Sequence, residues 1–237
     1  VMPRLGAYEQ KFAVGLEYKA FENDVVLVGG AGTLVPDVTT VPLLLTYSGR
    51  HAAPGREIAF VATYAHNNPY GDGDAGGAAI DAARAGAKAR FQVVRIGVVH
   101  TRALRGDDIL RIALDGQYTR DALVPGEQFG LGGANSVRGF HERTAAHDIG
   151  HRLSVEMYGP DVGHLIAPDW RARMLGFIDL GRGKDQEPLR LAASGLASIG
   201  VGTRATRGKR LSLRLDLAVV TDGTAARDKG ERRGHFA

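Results

Sequence analysis

The sequence predicts an all-β fold, a transmembrane antiparallel β-barrel. Three observations point to it. Apolar and polar residues alternate with a period of two along most of the chain. The alternating stretches run for about 9–12 residues, the length a tilted strand needs to cross a bilayer. The links between them broadly alternate between short and long, as in barrels with short turns at one rim and long loops at the other.

The clearest stretch is 210–219, where Leu211, Leu213, Leu215, Leu217 and Val219 alternate with Arg210, Ser212, Arg214, Asp216 and Ala218. Residues i and i+2 share one face of a strand, so a wholly aliphatic face backs a largely polar one, as suits a strand between hydrocarbon and water. The same pattern fits 11–21, with Phe12, Val14, Leu16, Tyr18 and Ala20 opposite Lys11, Glu17 and Lys19, and 110–119, with Leu110, Ile112, Leu114 and Tyr118 opposite Arg111, Asp115 and Gln117. Weaker copies lie at 38–48, 57–66, 89–102, 151–158, 171–181 and 193–206, and 230–237 reads as a strand just begun. The count is about ten, in one domain without repeats. The Ala-rich stretch 80–88 reads as one short helical turn in a loop. A soluble β-sandwich is the rival, but its strands are usually about 5–6 residues long, and its apolar face needs large residues packed as a core.

Composition narrows the classes. There is no cysteine, which excludes disulfides and thiolate metal sites. The 30 Lys and Arg against 26 Asp and Glu give a net charge of +4, but they are spread along the chain and form no basic block, so no nucleic-acid face is expected. No apolar run approaches the ~18 residues of a membrane helix. The chain opens at Val1 with no secretory leader pattern and ends within the strand at 230–237, so it is expected to be cut at both ends from a longer protein.

The short links are 48–56, 103–107 and 207–208; the long ones are 22–37, 67–88, 120–150 and 221–230, with 159–170 an exception, long for a turn. The segment 124–140 within the longest loop reads Val-Pro-Gly-Glu-Gln-Phe-Gly-Leu-Gly-Gly-Ala-Asn-Ser-Val-Arg-Gly-Phe. Five glycines permit tight folding back, and Phe129, Leu131, Val137 and Phe140 need a surface to cover. The shielded place beside a barrel strand is the lumen, and an arginine there needs a carboxylate partner.

Gly132, Gly133, Ser136, Val137, Arg138, Gly139 and Phe140 resemble the Val-Arg-Gly-Phe/Tyr loop motif of outer-membrane barrels that carry periplasmic POTRA domains. The longer Pro125-to-Phe140 form is similar to the haemolysin secretion/activation branch, of ShlB/FhaC/HecB type. Stretches 153–160, 176–181 and 198–202 are similar to the strands that follow the loop in that family. The resemblance is strongest over 124–220 and implies the carboxy-terminal ten or so strands of a sixteen-stranded barrel, with the motif loop joining strands eleven and twelve. POTRA domains and the first strands are then absent from 1–237. It implies a two-partner secretion translocator in the bacterial outer membrane, passing an unfolded exoprotein without ATP. The implied partners are an exoprotein with an amino-terminal secretion domain and outer-membrane lipid. No cofactor, metal or enzymatic activity is implied, and the barrel is expected to act as a monomer. The implied lumen-wall partners of the loop are Phe177 and Asp179, with Arg138 pairing to Asp179. The alternation supports this, because Asp179 shares its face with Phe177, Leu175 and Arg173, opposite Ile178, Leu180 and Met174, and a lone aspartate facing lipid is costly. An unrelated aspartate and a surface loop arginine remain the alternative.

The functional rivals are an insertase of the same superfamily, which shares the Val-Arg-Gly-Phe core, and a diffusion porin, which does not need this glycine pattern. Five POTRA domains in the full gene would point to insertion and two to secretion. His147 and His151 have metal-ligand spacing but no third ligand, so no metal is expected. No nucleophile-elbow, Walker or zinc-protease pattern occurs. Asp107 and Asp108 read as solvated turn residues. Tyr47, Tyr64, Tyr118, Tyr158 and Trp170 are placed near strand ends, in interfacial girdles or in ordinary packing.

Overall fold

The computed structural model describes residues 6–22, 35–69, 73–186, 193–223 and 232–236. In chain order the strands are β1 (Tyr8–Leu16), β2 (Lys19–Phe21), β3 (Val38–Thr40), β4 (Pro42–Ala53), β5 (Arg56–Asn67), β6 (Phe91–Ala103) and β7 (Ile109–Thr119). After them come β8 (Phe129–Leu131), β9 (Ala145–His147), β10 (Ile149–Tyr158), β11 (Trp170–Lys184), β12 (Ser194–Arg207), β13 (Leu211–Asp222) and β14 (Arg232–Phe236). One helix, α1 (Gly77–Ala83), precedes β6.

Ten strands form one sheet in the order β1-β4-β5-β6-β7-β10-β11-β12-β13-β14, each antiparallel to its neighbours. The short pairs β2–β3 and β8–β9 lie within loops. The sheet is a meander with its edges at β1 and β14, a barrel wall that does not close on itself within the described residues.

Alternation decides which face meets what. Leu211, Leu213, Leu215 and Leu217 are 41–54% exposed, while Asp216 on the same strand is fully buried. Register carries the aliphatic face across the wall: Leu110, Met157, Gly176, Val201 and Leu217 are successive partners on β7, β10, β11, β12 and β13. Phe12, Val14 and Leu16 extend it to the β1 edge. A continuous apolar face of this extent exceeds what a soluble monomer exposes, and among the described residues no second sheet covers it. This removes the β-sandwich alternative. The opposite face carries the polar residues and the loop between β7 and β10.

Several expectations need correction. The stretch 11–21 is not one strand. Beyond the Leu16–Leu43 pair the partner strand begins at Pro42, whose carbonyl accepts from the Glu17 amide but which has no N–H to return. The ladder ends, and Lys19–Phe21 pairs with β3 instead. The helix lies at 77–83, not 80–88: Gly86 takes φ +79°, and its amide bonds the Asp81 side chain, which stops the helix early. The short link at 48–56 shrinks to Pro54-Gly55, because Ala53 pairs directly with Arg56. Tyr47 sits in mid-strand, and the Tyr158 hydroxyl turns to Glu156 on the polar face, so neither belongs to a girdle at a strand end.

The long turn 159–170 is ordered. The Asp161 carboxylate accepts from the amides of Gly163 and Ala172, which holds that carboxyl below its usual range. Asp107, expected to be merely solvated, takes Arg173 Nη2 on both oxygens at 2.8 Å.

The exposed aliphatic face generates a test. In the full-length protein, Leu215→Arg is expected to destabilise lipid-inserted barrel by about 2–4 kcal/mol, the cost of a cation at mid-membrane depth. Ser212→Arg, on the other face of the same strand, is expected to cost little. Denaturant midpoints in lipid vesicles measure the difference, and equal midpoints would mean that the aliphatic face does not meet lipid.

Candidate functional site: the loop between β7 and β10

The loop spans 120–148 and folds back over the polar face of the sheet. Gly132 and Gly133, at φ +99° and +105°, form its reversal, a backbone shape that side chains with a Cβ rarely adopt. The Ser136 hydroxyl accepts from the Gly132 amide at 3.3 Å, and the Ser136 amide donates to the Gly133 carbonyl, closing the turn. Val137 and Phe140 are fully buried and pack with Leu131 against Leu196 of β12 and Val220 of β13. The wall makes room by omission. A Cβ on Gly181 of β11 would press on Leu131 and Val137, and one on Gly183 would meet His147. Gly139 brings the backbone against Ala218, Val220 and Ser198, and its amide donates to His235 Nε2 of β14 at 3.0 Å.

This packing delivers Arg138, 2% exposed, to a set of carboxylates. Its Nε donates to Asp179 Oδ2 at 2.6 Å and its Nη2 to Oδ1 at 2.8 Å, while the Arg138 backbone amide also reaches Oδ2 at 3.1 Å. Its Nη1 donates to Glu156 Oε1 at 2.8 Å and lies 3.6 Å from Asp216 Oδ1. The guanidinium carbon sits 3.4 Å from the centre of the Phe177 ring, a cation–π contact. Ser154 completes the cage, accepting from Arg138 Nη2 and donating to Asp179 at 2.6 Å.

The acids are shared. Glu156 also takes Arg111 at 3.0 Å and the Tyr158 hydroxyl at 2.9 Å. Asp216 takes Arg204 at 2.8 Å and Arg214 at 2.7 Å. Four arginines therefore face three carboxylates, and a buried charge is tolerable when paired and bonded in this way. Desolvation works against the Arg138 cation, but Asp179, Glu156 and Asp216 outweigh it and raise its pKa. The loop tip is held as well: Arg214 donates to Asn135 Oδ1 at 2.9 Å and to the Ala134 carbonyl at 2.6 Å, and Arg152 bonds the Asn135 carbonyl. Beside the loop lies a polar cavity of about 320 Å³ lined by Arg111, Arg152, Arg204 and Glu156 among others.

The structure thus brings Arg138, Phe177 and Asp179 together, with Val137 and Phe140 packed beside them. Gly132, Gly133, Ser136 and Gly139 shape the turn and touch no charged partner of Arg138. Sequence reasoning missed Glu156 and Asp216. The parity argument applied to Asp179 would have found both, since Glu156 alternates with Val155 and Met157, and Asp216 with Leu215 and Leu217.

The family model described as haemolysin secretion/activation protein ShlB/FhaC/HecB matches residues 61–205, more than half of the chain. Among solved structures, CdiB from Escherichia coli superposes with a TM-score of 0.76 at 16% identity, covering 99% of this chain and 42% of that one. CdiB from Acinetobacter baumannii superposes at 0.68 with 18% identity, covering 100% of this chain and 39% of that one. No protein of curated function matches in sequence. The chain thus spans about two fifths of the length of each of these two structures.

The shared acids order the expected effects of mutation. Arg138→Ala leaves Asp179 without a cation and is expected to cost about 3–5 kcal/mol. Asp179→Ala leaves Arg138 its contacts with Glu156 and Asp216 and is expected to cost less. The double variant is expected to fall well short of the sum. Unfolding of the detergent-solubilised full-length protein measures all three, and strict additivity would refute the coupling.

Proposed function

This chain belongs to the haemolysin secretion/activation family of ShlB/FhaC/HecB type, and from that premise we propose that it is the carboxy-terminal barrel portion of a two-partner secretion translocator. The ten strands of its main sheet correspond on this reading to strands seven to sixteen, five on each side of the motif loop, and the POTRA domains and first six strands belong to the rest of the polypeptide. The work is transport: an unfolded exoprotein, recognised through its amino-terminal secretion domain, passes from the periplasm to the cell surface through a polar conduit. The outer membrane holds no ATP, so folding of the exoprotein outside supplies the direction. The barrel acts as a monomer in outer-membrane lipid and performs no catalysis.

The observation that carries this reading is the placement of Arg138. A long loop is folded onto the polar face of a lipid-type wall, and its arginine is bonded to Asp179 on that face. A diffusion pore can carry a charge-lined constriction loop, but it has no need of this glycine pattern or of a loop seated to close the passage. A translocator does, because its conduit must stay sealed when no substrate occupies it. Gly132, Gly133, Ser136, Val137, Gly139 and Phe140 serve on this reading to shape and seat the loop, and Phe177 and Asp179 to receive it.

The test is secretion by the full-length protein with the exoprotein encoded beside it. Wild type is expected to export the exoprotein. Arg138→Ala is expected to lower export strongly while the barrel remains in the outer membrane, since the strand ladder is untouched. A full-length protein that exported nothing, but restored the insertion of other barrels, would replace this reading with that of an insertase.

A further inference from the structure

One buried carboxylate on the loop takes no part in the Arg138 cage. Glu127 closes the 3-10 turn Pro125–Glu127 where the loop leaves β7, and its side chain is 0% exposed. Its Oε1 receives Lys19 Nζ at 3.0 Å and the Thr40 hydroxyl at 3.1 Å. Its Oε2 receives Arg95 Nη2 at 2.7 Å. Its carbonyl accepts from Gln117 Nε2 at 3.0 Å, and Gln117 in turn accepts from Arg95 Nε at 2.8 Å. These partners stand on three elements: the β2–β3 hairpin of a different loop, β6 and β7. None contacts Arg138 or its acids.

The neighbouring residues fit the same purpose. A Cβ on Gly126 would run into the Phe21 ring, so glycine lets that ring of the hairpin lie on the turn. Phe21 packs against Val38, Ile80, Ala87, Ala89 and Val124, a small core that joins three loops. The Pro-Gly-Glu run is therefore a built junction, with one acid set between two cations and a phenyl ring laid on its glycine.

We propose that Glu127 is a second anchor of the motif loop: a positioning residue that fixes the loop's entering limb to the β6–β7 wall and couples it to the β2–β3 hairpin. The two anchors hold opposite limbs. Arg138 fixes the returning limb to β10, β11 and β13, and Glu127 fixes the entering limb to β6 and β7. Displacement of the hairpin is passed to the motif loop through Lys19 and Thr40, while Arg95 and Gln117 hold the limb to the wall. The importance of this for secretion rests on the translocator reading; the anchoring itself does not.

Spin-label distances in the full-length barrel test it, with one pair on Pro125 and Gln92, entering limb to wall, and another on Pro125 and Ala20, entering limb to hairpin. All three side chains are exposed or on exposed faces. Wild type is expected to give a single narrow distance for each pair. Glu127→Gln is expected to broaden both, since Lys19 and Arg95 then face a neutral amide. Lys19→Gln is expected to broaden only the loop-to-hairpin distance. That selective pattern is not what general loosening produces. If Glu127→Gln does not fold, Lys19→Gln with Thr40→Val carries the test alone. Narrow distances in every variant overturn the proposal, and so does broadening of the loop-to-wall distance by Lys19→Gln. Secretion is measured separately: a wild type that folds, shows narrow distances and secretes nothing sinks the translocator reading and leaves the anchor standing.

Discussion

Arg138 is buried on the polar side of a sheet whose other side is bare aliphatic, and a cation there survives only with its donors occupied. A guanidinium carries five N–H donors in a fixed fork. Here they go to Asp179, Glu156 and Ser154, with Asp216 close by and the Phe177 ring beneath. Each of those residues must point away from the hydrocarbon face, so each must fall on the inner parity of its strand. The parity of β10, β11 and β13 is thereby tied to one loop side chain. The glycines at 181 and 183, which leave space for Leu131, Val137 and His147, belong to the same requirement, since the arginine arrives only if the apolar part of the loop can lie flat on the wall.

The wall was the most legible part of the sequence. Period-two alternation is a property of single strands and needs no partner to be read, so the ten-stranded meander and its outward aliphatic face were visible in Leu211–Val219 and its weaker copies. Boundaries were less so. The end of β1 at Leu16 depends on Pro42 standing across from Glu17, a fact of register that neither stretch states alone. The early stop of the helix turned on Gly86, which was in view but was read as part of the helical turn. Tyr158 does stand at a strand end, and its facing decides for ordinary packing over a girdle.

Within the site, the loop's arginine and one acid were legible, and the rest of the cage was not. Asp179 stood out through a resemblance as well as its parity, while Glu156 and Asp216 had parity alone. Glu127 was legible only as part of a motif. Its three partners lie at positions 19, 40 and 95, separated in sequence by a hairpin and several strands, and only folding gathers them.

The network also settles an ambiguity that alternation leaves open. A slip of one residue between strands turns the aliphatic face inward and is heavily penalised, but a slip of two restores the same faces. Judged by burial alone, registers differing by two are nearly degenerate along a wall of Leu, Val, Ala and Gly. Arg138 removes that degeneracy. It touches Glu156, Asp179 and Asp216 on β10, β11 and β13, so a two-residue slip of any one of them carries its acid about 7 Å out of reach. The loop is in this sense a gauge pin across a four-strand span of the wall, and β12, which supplies none of the three acids, is indexed through the neighbours on either side of it.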